Sequence, residues 1–163
     1  MGTLELRALH GAWLAGLSGA RRRFEVAARA PERAQLERLS RLVSENAGTA
    51  YGRAHGLGKV MGLADWQRHV PVVSYDELEP WITRVARGEA GVLTREPVRM
   101  MERSGGSTAT NKLLPYTDGL LREFAGATEP WLHDLYSGTP GLRGTRSYWS
   151  ISPAARVGET TEG

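Results

Sequence analysis

Arg103-Ser104-Gly105-Gly106-Ser107-Thr108-Ala109-Thr110-Asn111-Lys112 joins two β-prone runs, residues 98–101 before it and 112–115 after it. Between its charged ends it carries no large apolar side chain, so it adds nothing to a core. Its adjacent glycines allow backbone conformations closed to other residues, and N–H groups can then converge on a concavity that attracts anions. Ser104, Ser107, Thr108 and Thr110 add hydroxyl donors, and Lys112 supplies a flexible point charge suited to a phosphate oxygen. The chain holds only two lysines, Lys59 and Lys112, against nineteen arginines, and one of the two closes this loop. The segment reads as a phosphate cradle, with a plain surface hairpin as the alternative that the same composition allows.

Upstream of the loop the periodicity is helical. Leu6, Leu9, Trp13, Leu17, Ala20 and Phe24 recur at threes and fours, an amphipathic stripe. Pro31 suits the first turn of a second helix, with Leu36, Leu39 and Val43 as its stripe and Gly48 as its end. After a glycine-rich stretch, residues 63–70 predict a short helix ending before Pro71. Ser74, Tyr75, Asp76 and Glu77 form a capping box opening a helix that carries Leu78, Trp81, Ile82 and Val85 to a stop at Gly88. Residues 92–94 are a further expected strand. Downstream, Thr117 caps a helix with Leu121, Phe124, Trp131 and Leu135 as its stripe, which Pro130 should kink or break, and 147–151 predict one more strand. Helices flanking the first strands of an unfinished sheet predict an α/β class, in the form of an α+β fragment that opens a larger domain. The expected division is a helical segment over 1–48 and the truncated start of that domain over 49–163.

Composition narrows the function. The 163 residues suffice for one ordinary domain, and the absence of cysteine removes disulfides, thiolate zinc sites and a thiol nucleophile. The four histidines, His10, His55, His69 and His133, show no i,i+4 pair, which argues against a histidine metal site. No apolar run reaches the roughly 20 residues of a membrane span, and no signal peptide is evident, so a soluble, cytoplasmic protein without membrane contact is expected. Residues 1–60 hold ten basic against five acidic groups, and 61–163 eleven against thirteen. Arg21, Arg22 and Arg23 are the basic run. They suit a solvated helix face, and a basic helical module that binds an acidic partner or nucleic acid is the alternative function.

Known phosphate and hydrolase motifs fit poorly. Read from Gly106, the nucleoside-triphosphatase loop would need glycine at Asn111 and a hydroxyl residue at Leu113; neither G-x-S-x-G nor G-x-G-x-x-G occurs. The loop instead resembles the first nucleotide motif of the adenylate-forming auxin-responsive "Gretchen Hagen" acyl acid-amido synthetases, roughly S-G-T-S-x-G-x-x-K-x-x-P-x-T. Ser104, Gly105, Ser107, Lys112, Pro115 and Thr117 match in register, and Gly106 and Ala109 depart from it. Thr49-Ala50-Tyr51-Gly52, the run from Val70 through Ser74 and Tyr75 to Leu78, and Gly88-Glu89 resemble the family's upstream landmarks. Tyr148-Trp149-Ser150-Ile151-Ser152-Pro153 is similar to the next strand in bacterial-type members.

The resemblance implies ATP-dependent activation of a carboxylic acid as an acyl-adenylate, then attack by an amine such as an amino acid. ATP, with Mg2+ as cofactor, and the acid and amine would be the ligands. Ser104, Gly105, Gly106, Ser107, Thr108 and Lys112 would hold the ATP phosphates, with Lys112 as the catalytic charge. Family members are several times longer, so the chain is expected to be an N-terminal fragment that is inactive alone. Tyr75, Trp81, Trp131 and Trp149 are read as core aromatics in preference to acyl-pocket walls, and Thr117 as a helix cap in preference to a ligand.

Overall fold

The computed structural model describes residues 2–104 and 112–148, and the backbone of 154–156. Among the described residues six α-helices and three strands follow one another: α1 Thr3–Arg29, α2 Pro31–Asn46, α3 Ala50–Ala54, α4 Leu63–His69, α5 Tyr75–Ala86, β1 Val98–Arg103, β2 Leu113–Thr117, α6 Asp118–Gly138 and β3 Ala154–Arg156. The strands form an antiparallel sheet in the order β2-β1-β3. The chain divides into two compact units, residues 1–34 with 122–150, and 35–121 with 151–163.

In the first unit, Leu14, Leu17 and Tyr136 are buried together, with Leu132, Leu135 and Leu142 packed around them. Arg21 pairs with Glu25 and with Asp134, and the Gly144 N–H donates to His10 Nδ1 at 3.0 Å. Compared with the sequence expectation, the buried stripe of α1 is rotated. Leu14 joins Leu17 and Ala20 inside, while Leu9 and Phe24 remain more than half exposed. On α6 the same rotation puts Leu132 and Tyr136 inward and leaves Phe124 and Trp131 out. Spacings of three and four satisfy two neighbouring stripes on one helix, and the Tyr136 ring, edge-on to Trp13 with centroids 5.4 Å apart, belongs to the one that packs. Helix α6 also runs through Pro130 without a break. A proline costs the helix one N–H bond, and Pro130 is itself a buried residue of this one.

The second unit has two clusters. Val43 from α2 meets Leu57 and Val60, with Leu39, Ala47, Trp66 and Val70 around them. The other joins α5 to the hairpin. Ile82 and Val85 pack on Val92 and Met101, and Tyr75, Leu78, Trp81, Val98 and Leu113 complete the contact. The capping box forms as its residues require, with Ser74 Oγ accepting the Glu77 N–H and the Glu77 carboxylate accepting the Ser74 N–H at 2.7 Å. Gly88 follows the helix at φ +87°, the left-handed conformation that glycine adopts without strain.

A β-bulge explains how β1 reaches α5 with two residues three apart. The register shifts between Val98, opposite Thr117, and Met100, opposite Tyr116, so Val98 and Met101 face the same side although strict alternation would separate them. Residues 92–94, expected as a strand, are not one: 92 and 93 are bends and 94 is irregular. Their backbone bonds go elsewhere: the Gly91 and Val92 carbonyls accept the Ala50 and Tyr51 N–H groups that open α3, at 2.8 and 2.9 Å. Val92 is nevertheless, among the described residues, the most buried large side chain, 1% exposed. Of the strand expected over 147–151, Ser147 and Tyr148 are irregular and the rest lies outside the described residues; the third strand is Ala154–Arg156.

Met101 is 3% exposed and Leu114, on the opposite face of the hairpin, 42%. Met101→Ala should cost roughly 2–5 kcal/mol in urea denaturation, and Leu114→Ala well under half of that.

Candidate functional site

Two of the loop residues singled out from the sequence can be placed. Ser104 N–H donates to the Lys112 carbonyl at 2.8 Å, closing the hairpin one step beyond the Arg103–Leu113 pair. Ser104 is half-buried and Lys112 exposed. Gly105, Gly106, Ser107 and Thr108, with Ala109, Thr110 and Asn111, lie outside the described residues. The structure therefore fixes the two feet of the loop.

Strand geometry dictates what surrounds the feet. In an antiparallel ladder a residue's N–H and C=O point to the same side and alternate along the strand. The Lys112 carbonyl faces β1, so Leu113 turns its own backbone groups to the free edge of β2. There the Tyr75 hydroxyl accepts the Leu113 N–H at 2.8 Å. The tyrosine ring lies 5.3 Å from Lys112 Nζ, within cation–π range. Tyr75 is the first residue of α5, so the capping box beside it places the start of that helix against the foot of the loop.

The other face of the hairpin is polar at one point. Glu102 and Tyr116 meet there, and the hydrogen bond to the carboxylate, with burial and the negative charge adding to it, pushes the Tyr116 hydroxyl above its ordinary range. At the far end, Thr117 Oγ1 accepts the Leu120 N–H at 3.1 Å, and the Glu96 carboxylate accepts that of Gly119 at 2.6 Å. Thr117 is thus the helix cap its sequence position suggested. Tyr75 and Trp81 are half-buried against the α5 core as expected, whereas Trp131 is 55% exposed and not a core residue. Trp149 lies outside the described residues.

Tyr75 is the neighbour that pattern reading undervalued. Its place in the capping box was visible, but a contact across 37 positions to Lys112 has no periodic signature. Among the described residues no group of three or more His, Asp or Glu could hold a metal ion. Nor, among them, is any helix long and apolar enough to cross a membrane.

The profile of the GH3 family N-terminal domain matches residues 20–163. The chain belongs to the GH3 family. Among its relatives, "Probable indole-3-acetic acid-amido synthetase GH3.12" of Oryza sativa subsp. japonica is 41% identical over 101 residues, covering 61% of this chain and 16% of the relative. "Jasmonoyl--L-amino acid synthetase GH3.3" of the same plant is 33% identical over 123 residues, covering 73% of this chain and 27% of the relative. The solved structure "AtGH3.15 acyl acid amido synthetase in complex with 2,4-DB" superposes with a TM-score of 0.69 at 25% identity, over 78% of this chain and 23% of that one. The chain thus spans about a sixth to a quarter of these GH3 proteins. The family expectation holds, while its bacterial-type refinement finds no support among these plant relatives.

The Glu77 carboxylate is held below its ordinary value of about 4.3, first by the Ser74 N–H and then by the Ser74 hydroxyl. A carboxyl whose value is depressed by folding adds stability above its ordinary value and loses it as pH falls through the depressed one. Glu77→Ala should therefore lower Tm at neutral pH, with the gap to the unsubstituted chain narrowing in acid, as thermal melts on both sides of that range would record.

Proposed function

We propose that this chain forms the opening part of an ATP-dependent acyl acid-amido synthetase, with loop 104–112 as its ATP phosphate-binding segment. The observation that carries the proposal is the hairpin closure at Ser104 and Lys112, which sets the feet of the Gly/Ser/Thr loop one residue pair beyond a packed ladder. Membership of the GH3 family and the synthetase names of its relatives support the reaction class.

In the first step the carboxylate oxygen of the acid attacks the α-phosphorus of ATP, and the bond to pyrophosphate breaks. In the second the amine nitrogen attacks the acyl carbon of the adenylate, AMP leaves, and the nitrogen loses a proton as the amide forms. Negative charge collects on the departing pyrophosphate in the first step. The loop's N–H groups, the hydroxyls of Ser104, Ser107 and Thr108, and the Lys112 ammonium would offset it. The described residues offer no carboxylate cluster for magnesium, so the ion would arrive on the nucleotide phosphates. The acid and amine sites belong to the synthetase as a whole, and its expected compartment is the cytoplasm.

The basic-module alternative draws less support. Arg21, first of the three arginines, is engaged by Glu25 and Asp134, which reduces the charge the run can present.

In the full-length protein, Lys112→Ala should lower ATP–pyrophosphate exchange, assayed with a panel of carboxylic acids, by on the order of 100-fold. Exchange at the unsubstituted rate would remove the assigned role.

A further inference from the structure

Tyr75 makes two contacts that core packing does not require. Its hydroxyl accepts the Leu113 N–H at 2.8 Å and lies 3.5 Å from the Leu113 carbonyl, so one side-chain atom serves both backbone groups that Leu113 turns away from β1. Its ring faces the Lys112 ammonium with 5.3 Å between Nζ and the centroid. One residue thereby holds the backbone from which the lysine side chain leaves and the charge at that side chain's tip.

Resting on the phosphate-binding reading of the loop, we propose that Tyr75 is a positioning residue for Lys112. An exposed lysine has several rotatable bonds and a compact charge that could sample many positions. The ring attracts the ammonium through its quadrupole and narrows that range, while the hydroxyl fixes the strand beneath. Because Tyr75 is the first residue of α5, and α5 is seated on Val92 and Met101, the position of the charge is tied to the core. Tyr75 touches no reacting atom in this account; it acts through Lys112.

The chain's two lysines make the contact directly measurable. Reductive methylation with 13C-formaldehyde marks Lys59, Lys112 and the terminal amine and keeps their charge, and Lys112→Arg assigns the Lys112 signal. The ring current of Tyr75 should displace that signal from the Lys59 position. Tyr75→Phe, which keeps the ring, should preserve the displacement, and Tyr75→Leu should abolish it. In the full-length protein, the apparent KM for ATP in pyrophosphate exchange should be roughly two- to fivefold higher in Tyr75→Leu and restored in Tyr75→Phe. Coincident Lys112 and Lys59 signals in the unsubstituted chain overturn the proposal without any variant having to fold, as does a displacement that survives Tyr75→Leu. If the displacement follows the ring but exchange in full-length Tyr75→Leu is unchanged while Lys112→Ala lowers it, the contact stands and the positioning role fails; if Lys112→Ala also leaves exchange unchanged, the phosphate-binding reading fails with it.

Discussion

Met101 is the single residue of β1 that is buried, and it is buried against Ile82 and Val85 of α5 together with Val92. Fixing a two-stranded hairpin in water is marginal on its own, because few residues share the loss of backbone freedom. An apolar helix face under the strands supplies the missing burial. The bulge after Val98 serves the same contact, since it brings Val98 to the side of Met101. Polar contacts at the rim contribute little by comparison. Arg99 and Asp118 form an exposed pair that solvent screens, whereas removing a buried methionine side chain costs roughly 2–5 kcal/mol.

From that contact the geometry of the loop's feet follows in short steps. Helix α5 begins where the Ser74–Glu77 capping box begins it, which places Tyr75 beside the free edge of β2. The Ser104–Lys112 bond closes the ladder on one side of Lys112, and Tyr75 meets the backbone of Leu113 on the other. The catalytic role proposed for Lys112 would draw on this support, because loops carry function best when a rigid scaffold sets their ends. The second cluster, around Val43, Leu57 and Val60, connects to the same region through backbone bonds: the Thr49-capped start of α3 takes the Gly91 and Val92 carbonyls. Gly52 is required there, since a Cβ would overlap the Asn46 carbonyl oxygen.

Much of this was legible in local pattern. The capping box at Ser74 and Glu77, the stop at Gly88, the cap at Thr117 and the two strands around the loop depend on neighbours within a few residues, and each stands in the structure near its expected place. What was not legible depends on distant partners. The run 92–94 has strand-like residues, yet the carbonyls of Val92 and of Gly91 before it serve α3, some forty positions away. The buried faces of α1 and α6 were set by each other's side chains, so Trp131 and Phe24 could not be placed from their own helices. Tyr75 looked like one more core aromatic because nothing in its spacing announces Lys112. The family motif named the loop, and the fold supplied its neighbour.

Amide hydrogen exchange at Ser104 and Leu113 tests the coupling of loop to core most directly. Ser104 donates to Lys112 and Leu113 to Tyr75, so both amides should be protected and should open together with that of Val85 in the α5 core, losing protection in parallel as denaturant is added. Fast exchange at both positions while Val85 stays protected would mean that the hairpin's feet are not held by α5, and the account of a loop positioned by the core would be contradicted.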